Sequence, residues 1–365
     1  MRAYATNSKG TGYGEELTLT MKEEHVVSVS VYPAGSGEVT VSGGGVVFNG
    51  NECTVTATAK HGYQFNRWTE NGNEVSTEPS YTFTVTGNRT LVAVFVIDIP
   101  TGAINGFSVS ATQQVWFSRG NLQYQASTNS WRFAENQWDY VGSANSNISQ
   151  NYSGWIDLFG WGTSGYNHGT VCYQPWSTST SYSDYYAYGS YNYNLYDQTG
   201  QADWGYNSIS NGGNTIHTWR TLTYEEWYYL FYTRSTNSGI RYAKAKVNDI
   251  NGVILLPDDW SDSYYALSNT NQSEASISSN VITASQWNNI LEQYGAVFLP
   301  AAGFRSGTSV YNIGSYGYYW SASYASGGSY SYGAWKVTFT DSFLGIGYNN
   351  DRYRGRSVRL VRVAQ

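Results

Sequence analysis

Apolar and polar residues alternate with a period of two along much of the first hundred residues. Period-two alternation with one apolar face is typical of half-buried β-strands. The apolar positions of the clearest runs are Val27, Val29 and Val31, then Cys53, Val55, Ala57 and Ala59, then Tyr81, Phe83 and Val85, then Leu91, Ala93 and Phe95. Turns are predicted at Gly43-Gly44-Gly45, Asn49-Gly50 and Asn71-Gly72. The pattern predicts a small β-rich module over residues 25–98.

Two helices are predicted in the rest of the chain, where the other elements are short strands and long loops. Each begins with a capping box, Thr223 with Glu226 and Thr283 with Gln286, followed by an apolar stripe. Gly295 is the expected stop of the second helix. A hairpin is predicted over residues 244–256, with its turn at Asn251-Gly252. The fold class expected for the chain is α+β.

Composition narrows the classes of protein that fit. The chain has 35 Tyr, 14 Trp and 13 Phe, but only 13% charged residues, about half of the usual fraction. Disordered chains have few aromatic residues, so disorder is not expected. A net charge of -6 argues against nucleic acid as a partner. No apolar run approaches the roughly 18 residues of a membrane span. Cys53 and Cys172 are expected to be free thiols.

Four segments are predicted along the chain. Asp98-Ile99-Pro100 marks the clearest boundary, because proline ends a strand. Residues 1–24 form the first segment, 25–98 the β-rich module, 99–106 a linker and 107–365 a large C-terminal domain. No export signal is visible after Met1, so a signal or anchor is expected outside this fragment.

The β-rich module resembles the internalin-type B repeat of bacterial surface proteins. The resemblance rests on His61-Gly62-Tyr63-Gln64-Phe65-Asn66-Arg67-Trp68-Thr69, Asn71-Gly72 and Tyr81-Thr82-Phe83-Thr84-Val85. It implies a β-grasp-like spacer in an extracellular stalk on a bacterial cell surface. Residues 2–20 resemble the last strands of a fibronectin type III-like domain, and therefore a remnant of a longer multidomain protein.

The C-terminal domain resembles the expanded C-type-lectin fold of the formylglycine-generating-enzyme superfamily. The matching segments are Leu299-Pro300-Ala301-Ala302-Gly303, Tyr319-Trp320-Ser321, Ala334-Trp335 and Gly355-Arg356-Ser357-Val358-Arg359-Leu360-Val361-Arg362. The enzyme of that superfamily needs reactive cysteines near its C-terminus, but this chain has no cysteine after Cys172. The oxidative chemistry is therefore not carried over, and the chain is predicted not to be an enzyme.

A second resemblance concerns the variable region, about residues 304–355. It resembles the variable region of diversity-generating-retroelement target proteins, in which randomised positions alternate with fixed ones. Gly317, Tyr319, Trp320 and Ser321 look fixed here and alternate with tyrosines. Tyrosine offers a large, rigid contact surface, and Ser, Gly and Asn adapt to a partner. The predicted ligand-binding residues are Tyr311, Tyr316, Tyr318, Tyr324, Tyr330, Tyr332, Tyr348, Asn349, Asn350, Asp351 and Tyr353.

Other conspicuous residues are given structural roles. The Tyr-rich stretch at residues 182–206 is predicted to be a long loop held by its own side chains. Trp320 and Trp335 are predicted to lie in the core. The basic ending is predicted to be a solvated strand edge; its members are Arg352, Arg354, Arg356, Arg359 and Arg362. His168 is predicted to be a hydrogen-bonded loop residue.

No cofactor or metal is predicted, and Ca²⁺ is the one ion left open. Its oxygen ligands would come from Asn248, Asp249 and Asn251, or from Asp258, Asp259 and Asp262, although neither set has EF-hand spacing. The four histidines are scattered, and no Cys/His pair has zinc spacing. Motifs of serine hydrolases, phosphate loops and zinc proteases do not occur.

The function expected from these patterns is non-enzymatic ligand binding by an adhesin or receptor at the cell surface. Its partner would be a protein or a glycan, bound by the diversified face of the lectin-like domain. Two alternatives remain open. The first is a carbohydrate-binding lectin that uses aromatic platforms and Ca²⁺, and the second is an enzyme of the same superfamily with altered chemistry.

Overall fold

The structure is a computed structural model that describes residues 2–16, 22–33, 35–59, 63–97, 103–325, 332–349 and 351–364. For residues 97, 103–105 and 348–349 only the backbone is described. The chain divides into two compact units, Met1–Asp98 and Ile99–Gln365. It is β-rich with few helices, which agrees at that level with the predicted class.

The first unit consists of strands. They are β1 (Arg2–Asn7), β2 (Gly10–Glu16), β3 (Glu24–Tyr32), β4 (Gly37–Val41), β5 (Val46–Phe48), β6 (Glu52–Ala59), β7 (Tyr63–Glu70), β8 (Asn73–Ser76), β9 (Ser80–Thr84) and β10 (Arg89–Ile97). Strands β1 and β2 form a separate hairpin whose described residues are all exposed. The other strands form sheets of order β5-β3-β10-β7-β8 and β4-β6-β9.

The predicted alternation of the first unit is confirmed. Val27, Cys53, Val55, Phe83 and other inward residues meet in one core around Trp68, while the serines and threonines between them face outward. Strands β3 and β10 are parallel, and β10 is antiparallel to β7. The turns lie where they are predicted, because glycine and asparagine tolerate the left-handed backbone found at Asn71 and Gly72.

The second unit contains sixteen strands among its described residues. They are β11 (Ala103–Ser108), β12 (Gln114–Ser118), β13 (Leu122–Gln125), β14 (Ser130–Phe133), β15 (Trp155–Ile156), β16 (Arg220–Thr221), β17 (Tyr242–Val247), β18 (Ile250–Leu255), β19 (Val281–Ile282), β20 (Val297–Pro300), β21 (Phe304–Ser306), β22 (Ser309–Tyr311), β23 (Gly317–Tyr324), β24 (Ala334–Thr340), β25 (Phe343–Asn349) and β26 (Leu360–Val363). Because β11 begins at Ala103, residues 103–106 of the predicted linker belong to this unit.

Both predicted helices are present with their capping boxes. Helix α1 (Tyr224–Tyr228) continues as a π-helical turn over Tyr229–Thr233, and α2 (Ala284–Gln286) continues as one over Trp287–Leu291. The remaining helical segments are short 3₁₀ turns, at Ser42–Gly45 in the first unit and at Ala126–Thr128, Gly142–Ser146, Tyr182–Tyr185, Ala187–Gly189, Trp204–Tyr206 and Ile277–Ser279 in the second. The described helices are all too short to span a bilayer.

The predicted hairpin is present, but its turn is wrong by three residues. Strands β17 and β18 turn at Asn248-Asp249, where both residues have a left-handed φ of 47° and 64°. Gly252 instead lies inside β18, where a methyl group would overlap the Phe298 ring. The Asn-Gly signal failed because that glycine serves close packing, while asparagine and aspartate can also adopt the left-handed turn.

The sheets of the second unit position its C-terminal strands. Their orders are β11-β12-β26-β16, β14-β13-β15, β19-β17-β18-β20, β21-β22 and β23-β24-β25. Tyr319 of β23 and Val337 and Phe339 of β24 pack with Trp227 of α1 in one core. Trp320 packs in a second core, which also holds aromatic residues of the long segment between β15 and β16.

Candidate binding face

Exposure alternates along the beginning of β23 as the proposed pattern of variable and fixed positions requires. Tyr316 is 37% exposed and Tyr318 is half-buried. Gly317, Tyr319 and Trp320 are buried. The residues that look fixed in the sequence therefore form the frame of this strand, and the tyrosines between them form its outer face.

The frame residues are held by specific hydrogen bonds. The Tyr319 hydroxyl donates to the carbonyl of Pro300 at 3.1 Å and accepts from Nδ2 of Asn121 at 3.2 Å. Trp320 donates through Nε1 to the carbonyl of Phe159 at 2.7 Å. Because buried polar groups are costly when they lack partners, these positions tolerate little change.

Four aromatic rings form a group that we call the hairpin patch: Phe304, Tyr311, Tyr316 and Tyr318. Phe304 stacks on Tyr311 with ring centroids 5.3 Å apart and meets Tyr318 edge-on at 5.6 Å. Tyr316 stacks on Tyr318 at 5.9 Å. Three of the predicted binding residues thus lie together, with Phe304 as a neighbour that the sequence pattern did not identify.

Tyr332 lies in a second group, which we call the tyrosine cluster: Tyr182, Tyr186, Tyr191 and Tyr332. The ring of Tyr332 is 6.2 Å from that of Tyr182, 6.3 Å from Tyr186 and 5.0 Å from Tyr191. Tyr182, Tyr191 and Tyr332 are each about 40% exposed, at 39%, 43% and 39%. The Tyr-rich loop at residues 182–206, which was predicted to be held by its own side chains, therefore contributes three rings to the surface around Tyr332.

The remaining tyrosines of this loop have mixed roles. Tyr185 is buried, and its hydroxyl donates to the carbonyl of Ser179 at 3.0 Å. Tyr188 is half-buried, and its hydroxyl donates to the carbonyl of Leu195. The prediction of a loop held by its own side chains is confirmed for these two residues, but not for the rings of the tyrosine cluster.

The basic ending is not a solvated edge, because Arg352, Arg356 and Arg359 are buried. Arg352 donates to the carbonyl oxygens of Gly333 and Tyr191, both at 2.7 Å. Arg359 donates through Nη2 to Oε1 of Gln137 at 2.7 Å. The prediction assumed that charge implies exposure, whereas carbonyl and amide oxygens and ring faces compensate these cations inside the fold.

Three of these arginines underlie the two aromatic groups. The guanidinium carbon of Arg352 lies 5.2 Å from the ring centroid of Tyr186, and that of Arg354 lies 4.7 Å from Phe304. The corresponding distance from Arg356 to Tyr318 is 5.4 Å. Arg352 and Arg354 are two residues apart in the chain, so one short segment contacts both the hairpin patch and the tyrosine cluster.

Asp351 was predicted to contact a ligand, but the structure places it beneath the face. It is buried and accepts from Nη2 of Arg356 at 2.6 Å, and Nε of Arg354 lies 3.2 Å from the same oxygen. Lys336 is buried in the same region. Burial, together with Arg356 and Arg354, lowers the pKa of Lys336 to about 7, against a raising effect of Asp351. Both partners of this carboxylate are arginines within five residues of it in the sequence, but only the structure shows that the pair is buried.

The other predicted residues are placed less completely. Tyr324 is half-buried and its amide donates to Oδ1 of Asn194 at 3.1 Å, while Tyr353 is half-buried. Tyr330 and Asn350 lie outside the described residues. Tyr348 and Asn349 are described in backbone only, as residues of β25 whose Cα partners on β24 are Trp335 and Ala334.

Trp335 was predicted to lie in the core, but it does not. It is half-buried and stacks on Tyr224 with ring centroids 4.0 Å apart and 25° between the ring planes. Trp320, in contrast, is fully buried and confirms its prediction. The two tryptophans differ because Trp335 lies at the start of β24, past the edge of the core that Val337 and Phe339 enter.

The residues that were considered for catalysis or metal binding make other contacts in the structure. His168 is a hydrogen-bonded loop residue as predicted: Nε2 lies 2.9 Å from the carbonyl of Gly162, Nδ1 accepts from the amide of Tyr188, and burial lowers its pKa. Asp258, a possible Ca²⁺ ligand, pairs with Arg234 at 2.9 Å. Within the described part of the chain, no three His, Cys, Asp or Glu side chains group together as a metal site. Cys53 and Cys172 are free and buried.

Comparison with known families identifies two segments. Residues 27–98 match the family model described as a divergent InlB B-repeat domain, which confirms the prediction for the first unit. Such a repeat suggests a surface-associated bacterial protein. Residues 264–361 match the model of a domain of unknown function (DUF8237), and this range includes the whole predicted variable region. No curated protein and no solved structure matches the chain.

Proposed function

We propose that the chain is a non-enzymatic ligand-binding protein of the bacterial cell surface. Its second unit would have a lectin-like fold related to formylglycine-generating enzymes and present a diversified, Tyr-rich binding face. The first unit, with its B repeat, would serve as the spacer that holds this face away from the cell. The fibronectin-like remnant would be part of the same stalk.

The observation that carries the proposal is the alternation of frame and face in β23. If a surface varies between variants of a protein, its frame residues must stay buried with their hydrogen bonds made, while its exposed side chains change. Gly317, Tyr319 and Trp320 meet the first condition, and Tyr316 and Tyr318 meet the second. A face of tyrosines also suits binding, since each ring loses little side-chain entropy and few charges must be desolvated.

The size of the face fits a protein partner. The hairpin patch and the tyrosine cluster together hold eight aromatic rings, most of them exposed or half-buried. A standard protein–protein interface buries about 800 Å² on each partner, and a few aromatic anchors usually dominate its energy. The segment that contains Arg352 and Arg354 contacts both groups, and we infer that a single partner covers both.

A display experiment tests the proposal with defined targets. One library randomises Tyr311, Tyr316, Tyr318, Tyr324 and Tyr332, and is selected against purified lysozyme and serum albumin. A matched library randomises the frame residues Gly317, Tyr319 and Trp320. We expect the first library to stay folded and to yield specific binders, and the second to lose folded display. A face library that unfolds or yields no binder would contradict the proposal.

The diversification itself is tested at the level of the gene. A near-identical non-coding copy of the segment that encodes residues 304–355 should lie near the gene, beside a reverse-transcriptase gene. The two copies should differ only at adenines of the template. If no such copy exists, the diversification is refuted, while binding by the face remains to be tested by display.

A further inference from the structure

A cavity of about 530 Å³ opens at the side of the hairpin patch. Its aromatic wall is formed by Trp138 and Tyr140, and its aliphatic wall by Ile250 and Ile313. Ile313 follows β22 and lies between Tyr311 and Tyr316 in the sequence, which places the cavity beside that patch. Its volume is within the range of about 300–1,000 Å³ that is typical of small-molecule sites.

Polar groups on the cavity wall are positioned and have free hydrogen-bonding capacity. Oδ2 of Asp139 accepts from the backbone amide of Asn136 at 2.9 Å and from its Nδ2 at 3.0 Å, which fixes the carboxylate. Its Oδ1 has no hydrogen-bond partner within the described part of the chain. Ser143 and Asn248 add a hydroxyl and an amide to the lining. The cavity lining therefore has one acidic group, two neutral polar groups and no cation.

The backbone of this wall is rigidly held from behind. The amide of Val141 donates to Oδ2 of the buried Asp157 at 2.8 Å. Asn145 donates through Nδ2 to the carbonyl of Gly142 at 3.0 Å and to Oδ1 of Asp157 at 2.8 Å. A site that is already ordered costs less conformational entropy when a ligand binds.

We propose that this cavity binds a neutral oligosaccharide of two or three sugar units. The C–H face of a pyranose ring would pack on the half-buried ring of Tyr140, whose face is apolar, while the buried Trp138 supports this wall. Sugar hydroxyls would donate to the free Asp139 oxygen and exchange hydrogen bonds with Asn248 and Ser143. The carboxylate, with no cation beside it, disfavours acidic sugars. The inference rests on the proposed function only in placing this subsite at the edge of the binding face.

Saturation-transfer NMR with defined sugars tests the inference on the full chain. The probes are maltotriose, cellotriose, chitotriose, mannotriose and lactose, with sialyllactose as the acidic comparison. We expect at least one neutral probe to bind with a dissociation constant below about 10 mM. Ser143→Trp, which fills the cavity from its exposed rim, and Asp139→Asn should each weaken that binding about tenfold or more.

Two controls separate this subsite from the binding face. Tyr264→Ala alters an exposed tyrosine that lines a different cavity and should leave sugar binding unchanged. Tyr318→Ala alters the hairpin patch and shows whether the binding face itself takes the sugar. The inference is overturned if no neutral probe binds, if sialyllactose binds best, or if Ser143→Trp binds as well as the wild type while folded. Sugar binding lost in Tyr318→Ala but kept in Ser143→Trp would assign it to the face and also overturn the inference. Failure of the display libraries would refute the proposed function without affecting this test.

Discussion

The ring of Tyr332 lies edge-on to the ring of Tyr191, with centroids 5.0 Å apart and planes at 86°. These residues belong to segments that are far apart in the sequence, one in the predicted variable region and one in the long loop before β16. Their contact makes the candidate face composite, because the loop before β16 supplies rings beside one from the predicted variable region.

The contact should be measurable as a coupling energy. In a double-mutant cycle of Tyr191→Ala and Tyr332→Ala, we expect the two effects on the free energy of unfolding to be non-additive by about 0.5–1.5 kcal/mol, as for other aromatic pairs. Chemical denaturation of the four proteins measures it. A cycle of Tyr191→Ala with Tyr264→Ala is the control and should be additive. Full additivity of the first pair would show that the cluster is not formed in solution.

Removing a single hydroxyl distinguishes the frame from the face. Tyr319→Phe removes the hydroxyl that Nδ2 of Asn121 donates to, and it takes one of two donors from the carbonyl of Pro300, which keeps the amide of Ala302. We expect it to lower the free energy of unfolding by about 1–3 kcal/mol. Tyr316→Phe, at an exposed ring, should change it by less than about 0.5 kcal/mol. Equal effects of the two substitutions would contradict the assignment of frame and face.

Gly317 should not tolerate a methyl group. A Cβ atom at this position overlaps the buried ring of Phe339 on the adjacent strand. We expect Gly317→Ala to destabilise the second unit by about 1–3 kcal/mol through overpacking. Gly106→Ala is the matched control in another strand, where the nearest atom outside the adjacent residues lies 3.9 Å from the added Cβ. Thermal unfolding of both variants measures the difference, and a Gly317→Ala protein as stable as the control would count against this packing.

Lys336 should make stability rise with pH in the alkaline range. Its pKa is about 7 in the folded protein and near 10.5 when unfolded. Between these values the unfolded chain binds more protons, so the free energy of unfolding increases with pH, by up to about 1.4 kcal/mol per pH unit for one proton. Lys336→Met should remove this slope. Denaturation of both proteins from pH 7 to 9.5 isolates the effect, and parallel profiles would refute it.

Glu70 should contribute stability to the first unit that disappears in acid. It pairs with Arg89 at 2.7 Å, and this hydrogen bond lowers the Glu70 pKa below its usual 4.5. A lowered pKa adds stability above pH 4.5 that is lost as the pH falls through the folded value. The pair is partly exposed, so Glu70→Gln should cost only about 0.5–1 kcal/mol at pH 7. The difference from wild type should shrink as the pH falls below 4.5; a difference that stays constant in acid would have another cause.

The local elements were largely predictable. Alternation located the strands of the first unit, and the capping boxes at Thr223 and Thr283 located both helices, because these signals depend on neighbouring residues alone. The hairpin turn was misplaced at Asn251-Gly252, since a glycine required by Phe298 has the same sequence signature as a glycine in a turn. Local sequence signals thus predicted these strands and helices, but not the position of every turn.

The candidate face was predictable only in part. The residue types around Tyr319 separated buried from exposed positions at the start of β23, but strand periodicity did not, because Trp320 is buried although it lies on the same side of the strand as Tyr318. The loop residues Tyr182, Tyr186 and Tyr191 were missed, and only their density of tyrosine was a signal. Nothing near Trp335 in the sequence indicates that its ring stacks on Tyr224.

By itself, the sequence determined the alternating strands of the first unit, the two capped helices and the B repeat. Each of these follows from chain periodicity or from short motifs. The tertiary structure decided that Asp351, Arg352 and Arg356 lie beneath the face and that Tyr332 joins a distant loop. The physical reason is that burial of a charge depends on partners that the fold brings together, such as the carbonyl oxygens of Gly333 and Tyr191 around Arg352.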